Sequence, residues 1–390
     1  MSTGGDRALG GRMRVGFFTY GMEQKLTGIG RYTVELTRAL KALEPGLEIV
    51  LLNPYPDSGL GWYREFETHS VPALRKLPAA ASLGNWVLHR VALDLKLDIL
   101  HDPCGIAPFL VPTRAYRRVT TVHDAIPLAM PEVQPLATRL VFRTLIPLAR
   151  YTADAVFTVS QHAALDLARY AGLPRHKLFV APNAVVPPSP MTEAEVLGAL
   201  ERLGVQPPYF LTVGQWAARK NLPRLLEAFA ALRREHPELS LAVVGPSSGS
   251  TVHRGSQSFE GVTLTGFVSD SDLDALYYGA LALVFPSLYE GFGIPAIEAM
   301  AHGTPVLAAN ASSLPEVVGD AGVLFDPRSV EAIVAAMRRI WQDGSLREEL
   351  KRRGLERAKQ YTWAETASKT LEVYRSLLGG PMVREAKARA

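Results

Sequence analysis

The sequence predicts an α/β protein built from two doubly wound parallel sheets in tandem. Three observations carry this reading. Short Val/Ile/Leu-rich runs recur with little polar alternation, as in "ADAVFTVS" and "LALVFPS", which suits strands buried on both faces. Helical stretches separate them, as crossovers between parallel strands require. The alternation halts at the stiff "PPSP" of residues 187–190 and then restarts. A chain of 390 residues also exceeds one typical core, so two domains are expected.

In the first half, "RVGFFTY" is the opening strand, followed by a glycine-containing loop and the helical "RYTVELTRALKAL". The strands "LEIVLLNP", "LDILHDP", "RRVTTVHDAIP", "ADAVFTVS" and "KLFVAPNAV" follow, with helices expected at 135–150 and 161–171. After the break and a short helix come "YFLTVGQ", "LSLAVVGP", "VTLTGF", "LALVFPS", "TPVLAAN" and "AGVLFDP". Helices such as "NLPRLLEAFAALRREH" and "VEAIVAAMRRIWQD" lie between them. The expected domains are 12–186 and 191–361, two Rossmann-like units facing across a cleft. A last helix, 362–378, adds no strand, and its own pattern does not say which domain it joins.

Composition narrows the function. The single cysteine, Cys104, excludes an internal disulfide and favours a reducing compartment. The first fourteen residues carry no apolar core of a leader segment, and no apolar run is long enough to span a membrane. The expectation is a cytoplasmic protein. A formal charge of +4 suits anionic partners, phosphates or acidic lipid surfaces. No dense Lys/Arg stripe interleaved with aromatics points to nucleic acid.

The stretch "LVFPSLYEGFGIPAIEAMAHGTPVLA" holds Glu290 and Glu298 on either side of a glycine loop. Pro295 suits the first turn of a helix, and Gly303 followed by Pro305 suits its end. The loop therefore delivers the chain to a helix N-terminus, where free N–H groups attract an anion. Gly291 and Gly293 let that anion approach the backbone. Glu298 and Glu290 would then accept hydrogen bonds from sugar hydroxyls. Alternatively, Glu298 complements the helix dipole and Glu290 is solvated.

"VGQWAARKN" places Arg219 and Lys220 between a strand and a helix, where two cations can clamp a pyrophosphate. A solvated charged turn is the plainer alternative. "TGIGRYTVELTRAL" sets Gly28 and Gly30 before a helix. Thr33 stands where a dinucleotide fingerprint needs its third glycine, so a nicotinamide cofactor is not indicated. "TTVHDAIP" puts His123 and Asp124 at a strand end, suited to a sugar hydroxyl or to capping a helix. His101 and Asp102 in "ILHDPCG" look similar but are less distinctive. Asp270, Asp272 and Asp274 in "SDSDLD" open a helix and are explained by N-capping, so no metal is expected.

Taken together, these stretches resemble the retaining family-4 glycosyltransferases of the GT-B fold. The resemblance rests on Glu290 and Glu298 around "GFGIPAI", on "GQWAARKN", "LTGFVSDSDLDALYYGA" and "TPVLAANASSLPEVVGDAGVLFDP", nearly continuous from 209 to 327. In the first half it is patchier, carried by "TGIGRYTVEL", "TVHDAIP" and "FTVSQHA". The likeness to bacterial mannosyltransferases of surface-polysaccharide assembly implies GDP-mannose as first choice of donor, ahead of UDP-glucose.

The resemblance implies that Arg219 and Lys220 hold the pyrophosphate and Glu298 the ribose hydroxyls. Glu290 with the backbone at Gly291, Phe292, Gly293 and Ile294 would hold the donor hexose. Gly266, Phe267 and Val268 would frame the base, Gly30 would approach the distal phosphate, and His123 would line the sugar site. The family's final helix crosses back to the first domain. The family often shows Gly-Gly where this chain has Gly28-Ile29-Gly30. The implied chemistry is hexosyl transfer with retention and without a metal or cofactor, the leaving phosphate taking the acceptor's proton. Rival readings are a UDP-sugar 2-epimerase of the same fold and an inactive scaffold. The basic segment "TRLVFRTLIPLARYT", with Arg139, Arg143 and Arg150, suggests a saccharide or lipid-linked acceptor and peripheral contact with an anionic membrane at its inner face. A buried helix with a charged outer face is the alternative.

Overall fold

The computed structural model describes residues 12–23, 28–76, 84–133, 136–245 and 259–380. The leader-segment expectation rests on residues of which 1–11 lie outside this set. The described residues up to Asn183 and again from Trp363 form one compact unit, and Ala184–Thr362 form the other. Among the described residues no helix is long and apolar enough to cross a membrane.

The first unit is built on β1 (Arg14–Phe18), β2 (Glu48–Asn53), β3 (Glu67–Ser70), β4 (Ile99–Asp102), β5 (Arg117–Thr121), β6 (Ala155–Thr158) and β7 (Leu178–Val180). They pair in the order β3-β2-β1-β4-β5-β6-β7, every pair parallel. The second unit carries β8 (Tyr209–Val213), β9 (Ser240–Val244), β10 (Val262–Gly266), β11 (Ala282–Phe285), β12 (Val306–Ala309) and β13 (Gly322–Phe325). Their order is β10-β9-β8-β11-β12-β13, again all parallel. Both are the doubly wound sheets that unbroken apolar runs require: "SLAVV" of β9 and "ALVF" of β11 are buried at every position. In each sheet the chain reverses its direction of travel once, between β1 and β4 and between β8 and β11. Such a switch point opens a crevice at the strand C-terminal ends.

Three local expectations are corrected. β3, "ETHS", is exposed at every residue and has no apolar run to announce it. It is an edge strand, tied in by Arg14, which reaches Glu48 on β2 at 2.7 Å and Glu67 on β3 at 2.6 Å. The helix expected at 135–150 is interrupted: Leu136–Leu145 is helical, Ile146–Leu148 tightens into a 3₁₀ turn, and Ala149–Thr152 resumes. Pro147 has no N–H for the helical ladder and breaks it. The glycines expected in a loop before the first helix are its first turn, since that helix runs Gly28–Leu43.

The helix Trp363–Leu377 belongs to the first unit and lies along the helix Gly28–Leu43. Its apolar stripe buries Ala367, Leu371, Val373 and Tyr374 in the core beneath β1, β4 and β6. The Tyr374 hydroxyl bonds His101 Nδ1 on β4, and Thr366 donates to the Pro182 carbonyl at 2.7 Å. Tyr374→Ala therefore costs about 3–5 kcal/mol. Tyr374→Phe, which leaves His101 Nδ1 without a partner, costs about 1–3 kcal/mol. Urea unfolding, read as a lowered midpoint at constant slope, checks both values.

Candidate active site

Because β8 and β11 are neighbours, the loops leaving their C-terminal ends meet at the switch point. After β8, Gly214 takes φ +149°, and a Cβ there would lie 3.0 Å from Lys220 Cε. The glycine thus leaves room for the lysine to fold back. Arg219 and Lys220 sit in the 3₁₀ turn Ala218–Lys220. Asn221, left-handed at φ 58°, turns the chain into the helix Leu222–Glu235. Its side-chain amide donates to the carbonyls of Pro286 and Pro327 at 3.2 and 2.7 Å, pinning this turn to the loops after β11 and β13.

After β11 the chain delivers Glu290 to the same place. Its Oε1 accepts from Arg219 Nη1 at 2.9 Å and from Lys220 Nζ at 2.7 Å. Glu290 is only 8% exposed. Burial alone would raise its pKa, but the charges of Lys220 and Arg219 outweigh burial and hold the carboxyl below its ordinary value. Burial pulls the Lys220 ammonium down, and Glu290 opposes that pull. Lys220 Nζ also lies 4.7 Å over the Phe285 ring. Two cations against one carboxylate leave a half-buried excess of one positive charge. Arg219 spends only Nη1 on Glu290 and the Tyr289 carbonyl, so Nε and Nη2 have no acceptor among the described residues.

The loop that carries Glu290 is held by two serines the sequence did not single out. Ser312 Oγ accepts from the Glu290 N–H at 2.9 Å, and Ser313 Oγ reaches the carbonyls of Glu290 and Phe292 at 2.9 and 2.8 Å. Gly291, Phe292 and Gly293 are buried, with Phe292 edge-on to Tyr361. Gly293, at φ +106°, caps the helix Ile294–Ala301, and a Cβ there would meet Leu314 Cδ2 at 2.6 Å. The N–H groups of Gly293 and Ile294 have no acceptor among the described residues. Pro295 follows them in the first turn, as its missing N–H allows.

Glu298 lies on that helix, and the hydroxyl of Tyr277 donates to its Oε2 at 2.9 Å. Tyr277 is wholly buried, and burial together with the Glu298 charge keeps its phenol protonated. His302 is held between the Glu298 carbonyl at 2.7 Å and Asp274 Oδ1 at 2.9 Å. Only an aromatic at helical spacing marked Tyr277 in the sequence, and that pattern reads as ordinary core. Gly266 ends β10 at φ +69°, Phe267 is 82% exposed, and Val268 packs on the core. Ser269 caps the helix Asp270–Gly279 by accepting from the Asp272 N–H, and Asp272 pairs with Arg202 at 2.9 Å. Among the described residues no three His, Cys, Asp or Glu side chains are grouped to hold a metal.

The structure places Gly30 and His123 in the first unit. Gly30 is buried in the first helical turn, and Tyr32, two residues on, presents its ring edge to His123 at 4.8 Å. His123 Nε2 donates to the Pro103 carbonyl at 2.9 Å, which leaves Nδ1 as the acceptor. Surrounding protein pushes its pKa down to about 4, so the ring is neutral at pH 7. Asp124 Oδ1 accepts from the Ile126 N–H at 2.9 Å, where the chain enters a short helix whose N-cap position is Ala125. His101 and Asp102 differ from that pair in being wholly buried: His101 joins Tyr374 to Thr121, and Asp102 accepts from the N–H groups of Cys104, Ile106 and Ala107.

Glu290 carries a testable linkage. A carboxyl held low in the folded state stabilises above its unfolded pKa, about 4.3, and loses that contribution as pH falls through the folded value. The melting-temperature gap between the native chain and Glu290→Gln is therefore constant from pH 7 to about 5 and shrinks below about 4.

Residues 26–189 match the family described as Glycosyltransferase Family 4, and residues 201–357 match Glycosyl transferases group 1. The chain is 32% identical over 394 residues to O-antigen chain mannosyltransferase B of Escherichia coli, covering 94% of this chain and 100% of that one. It is 27% identical over 403 residues to the serotype-specific mannosyltransferase WbdA of Escherichia coli, 92% of this chain and 47% of that longer protein. Its fold matches the Anabaena protein HepE, solved with UDP and glucose, at a TM-score of 0.72 and 18% identity over 93% of this chain and 100% of that one. Two doubly wound sheets and these relatives agree: the chain belongs to the family-4 glycosyltransferases of the GT-B fold.

Proposed function

We propose that this glycosyltransferase moves a mannosyl group from GDP-mannose to a hydroxyl of a saccharide or lipid-linked acceptor, with retention at the anomeric carbon. The observation that carries the reading is the cluster of half-buried Arg219 and Lys220 on buried Glu290, with its excess positive charge at the switch point. A diphosphate fits that excess. Arg219 offers it Nε and Nη2, Lys220 its charge, and Gly293 and Ile294 their N–H groups. Glu298, oriented by Tyr277, accepts from ribose hydroxyls, and Phe267 with the Gly266 and Val268 backbone frames the base. The mannosyltransferase relatives support mannose, and the near full-length one is closer in sequence than the neighbour that holds UDP and glucose.

In the reaction the bond from C1 to the phosphate oxygen breaks while the acceptor oxygen bonds C1 on the same face. The acceptor's proton passes to the departing phosphate oxygen. Charge that grows on this leaving group is met by Arg219 and Lys220, which are fixed before the substrate arrives. No metal ion or cofactor is invoked, because the two side chains supply the positive charge. Glu290 orients the hexose hydroxyls; a carboxylate already held by two cations is a weak nucleophile.

A thermal-shift screen in chelator against GDP, UDP, ADP, TDP and their sugars tests the donor, since a ligand of the folded state raises the melting temperature by mass action. GDP and GDP-mannose give the largest shift; a larger shift with UDP transfers the assignment to a UDP-sugar. Lys220→Ala slows kcat about 10²–10³-fold with donor KM little changed. Glu298→Ala acts chiefly on donor KM, and Tyr277→Phe raises it about five- to tenfold at nearly constant kcat, the loss of one hydrogen bond. Equal small effects from Lys220→Ala and Glu298→Ala overturn these roles. Proton NMR of the first product reads its anomeric configuration.

A further inference from the structure

His302 stands at the C-terminal cap of the helix that carries Glu298. Its backbone N–H bonds the Glu298 carbonyl at 3.1 Å, and its Nδ1 lies 2.7 Å from that same oxygen. Its Nε2 lies 2.9 Å from Asp274 Oδ1, on the helix Asp270–Gly279. The imidazole is buried, whereas Asp274 is half-buried. Two tyrosine rings enclose it, Tyr277 at 4.9 Å and Tyr278 at 4.8 Å. The Tyr278 hydroxyl is itself anchored, donating to the Ser189 carbonyl at 3.2 Å.

Both oxygens that face the ring only accept, the carbonyl always and the carboxylate while ionised. A neutral imidazole has one N–H and would set a lone pair against one of the two oxygens. Two hydrogen bonds at these lengths are satisfied together by a ring with both nitrogens protonated. A cation suits the position, at the negative end of a helix dipole and against a carboxylate.

The bridge joins the two helices whose separation matters at the site. Asp274 lies one turn before Tyr277 on one helix, and Tyr277 donates to the Glu298 carboxylate on the other. Thr304, two residues past His302, donates to the Tyr277 carbonyl at 2.6 Å and grips the same residue from its backbone side. The Tyr277 hydroxyl can orient Glu298 only while the helices keep their spacing.

We propose that His302 is a positioning residue for the donor: its doubly protonated ring ties Asp274 to the last turn of the Glu298 helix and so holds Tyr277 and Glu298 at the spacing a ribose needs. The inference rests on the reading of Glu298 as the acceptor of ribose hydrogen bonds. Loss of the second proton takes the donor from one of the two oxygens, so nucleotide affinity falls as pH rises through the titration of the ring. The titratable and charged groups around it are Asp274, Tyr277 and Tyr278 from one helix and Glu298 from its own. Lys351, of the helix Gly344–Ala358, approaches the next residue, with Cε 3.3 Å from where a Cβ on Gly303 would stand.

Isothermal titration of the full chain with GDP, and with UDP and ADP in parallel because all three carry the same ribose, tests the role. His302→Ala weakens the tightest of them about tenfold. Glutamine places its amide N–H groups where Nε2 stood and keeps the Asp274 link, while asparagine reaches only the Glu298 carbonyl. His302→Gln therefore recovers most of the loss and His302→Asn little of it. Glutamine does not titrate, so the affinity advantage of the native chain over His302→Gln shrinks as pH rises; ionisation of the nucleotide phosphate cancels in that ratio. Asp274→Ala, at the half-buried end of the bridge, gives the same loss and stands in for His302→Ala if that variant fails to fold. Native affinity in His302→Ala or Asp274→Ala, rescue by asparagine equal to that by glutamine, or a ratio constant with pH overturns the proposal. Glu298→Ala separates it from the reading beneath it. The losses from Glu298→Ala and His302→Ala are expected not to add. Full additivity leaves the ribose reading standing and overturns the role of His302 alone. Undiminished nucleotide affinity in Glu298→Ala, or no binding of any of the three by the native chain, overturns the ribose reading and this inference with it.

Discussion

Glu290 is a carboxylate taken almost wholly out of water, and its two cations, Arg219 and Lys220, make that burial tolerable. Removing Glu290 would leave two half-buried cations with no carboxylate between them, which is far costlier than losing a surface pair. The contact joins positions 71 apart in the chain. The strand order forces the encounter, because β11 returns beside β8 after the chain has gone out to β10 and reversed. Asn221, Ser312 and Ser313 then hold the backbone on either side, so the charges are fixed by hydrogen bonds rather than by solvent. Preorganised charge of this kind acts on a developing anion without reorganising during reaction.

The division of labour within the second unit follows from where each group is anchored. The cation pair sits in a turn leaving the sheet, next to a helix end with open N–H groups. Glu298 sits further along that helix, oriented by the buried phenol of Tyr277. The established family membership and this geometry point to the same chemistry, transfer of a sugar from an activated diphosphate.

The first unit is stabilised differently. Its sheet is closed over by a helix from the far end of the chain, whose Tyr374 meets His101 on β4 and whose Thr366 meets Pro182. Burial pushes His101 down to about 3, so the contact is between neutral groups and does not depend on pH near neutrality. The unit's ion pairs lie nearer the rim of the sheet and are partly exposed, as at Arg14 with Glu48 and Glu67.

What the sequence determined by itself is local and periodic. Buried parallel strands are short apolar runs, so twelve of the thirteen strands among the described residues and the doubly wound class could be read directly. β3 escaped because an exposed edge strand needs no apolar residues. The residue types of the site were equally legible, since Arg219, Lys220, Glu290 and Glu298 flank loops at strand ends. The tertiary structure decided which of these charges meet. Whether Glu290 is solvated or buried between cations depends on strand order, which no window of sequence contains. Tyr277, Ser312 and Ser313 act through partners far along the chain, so nothing local distinguishes them from core or turn residues. The same holds for Leu136 and Leu140, whose helical spacing reads as a core stripe until the fold leaves them facing outward.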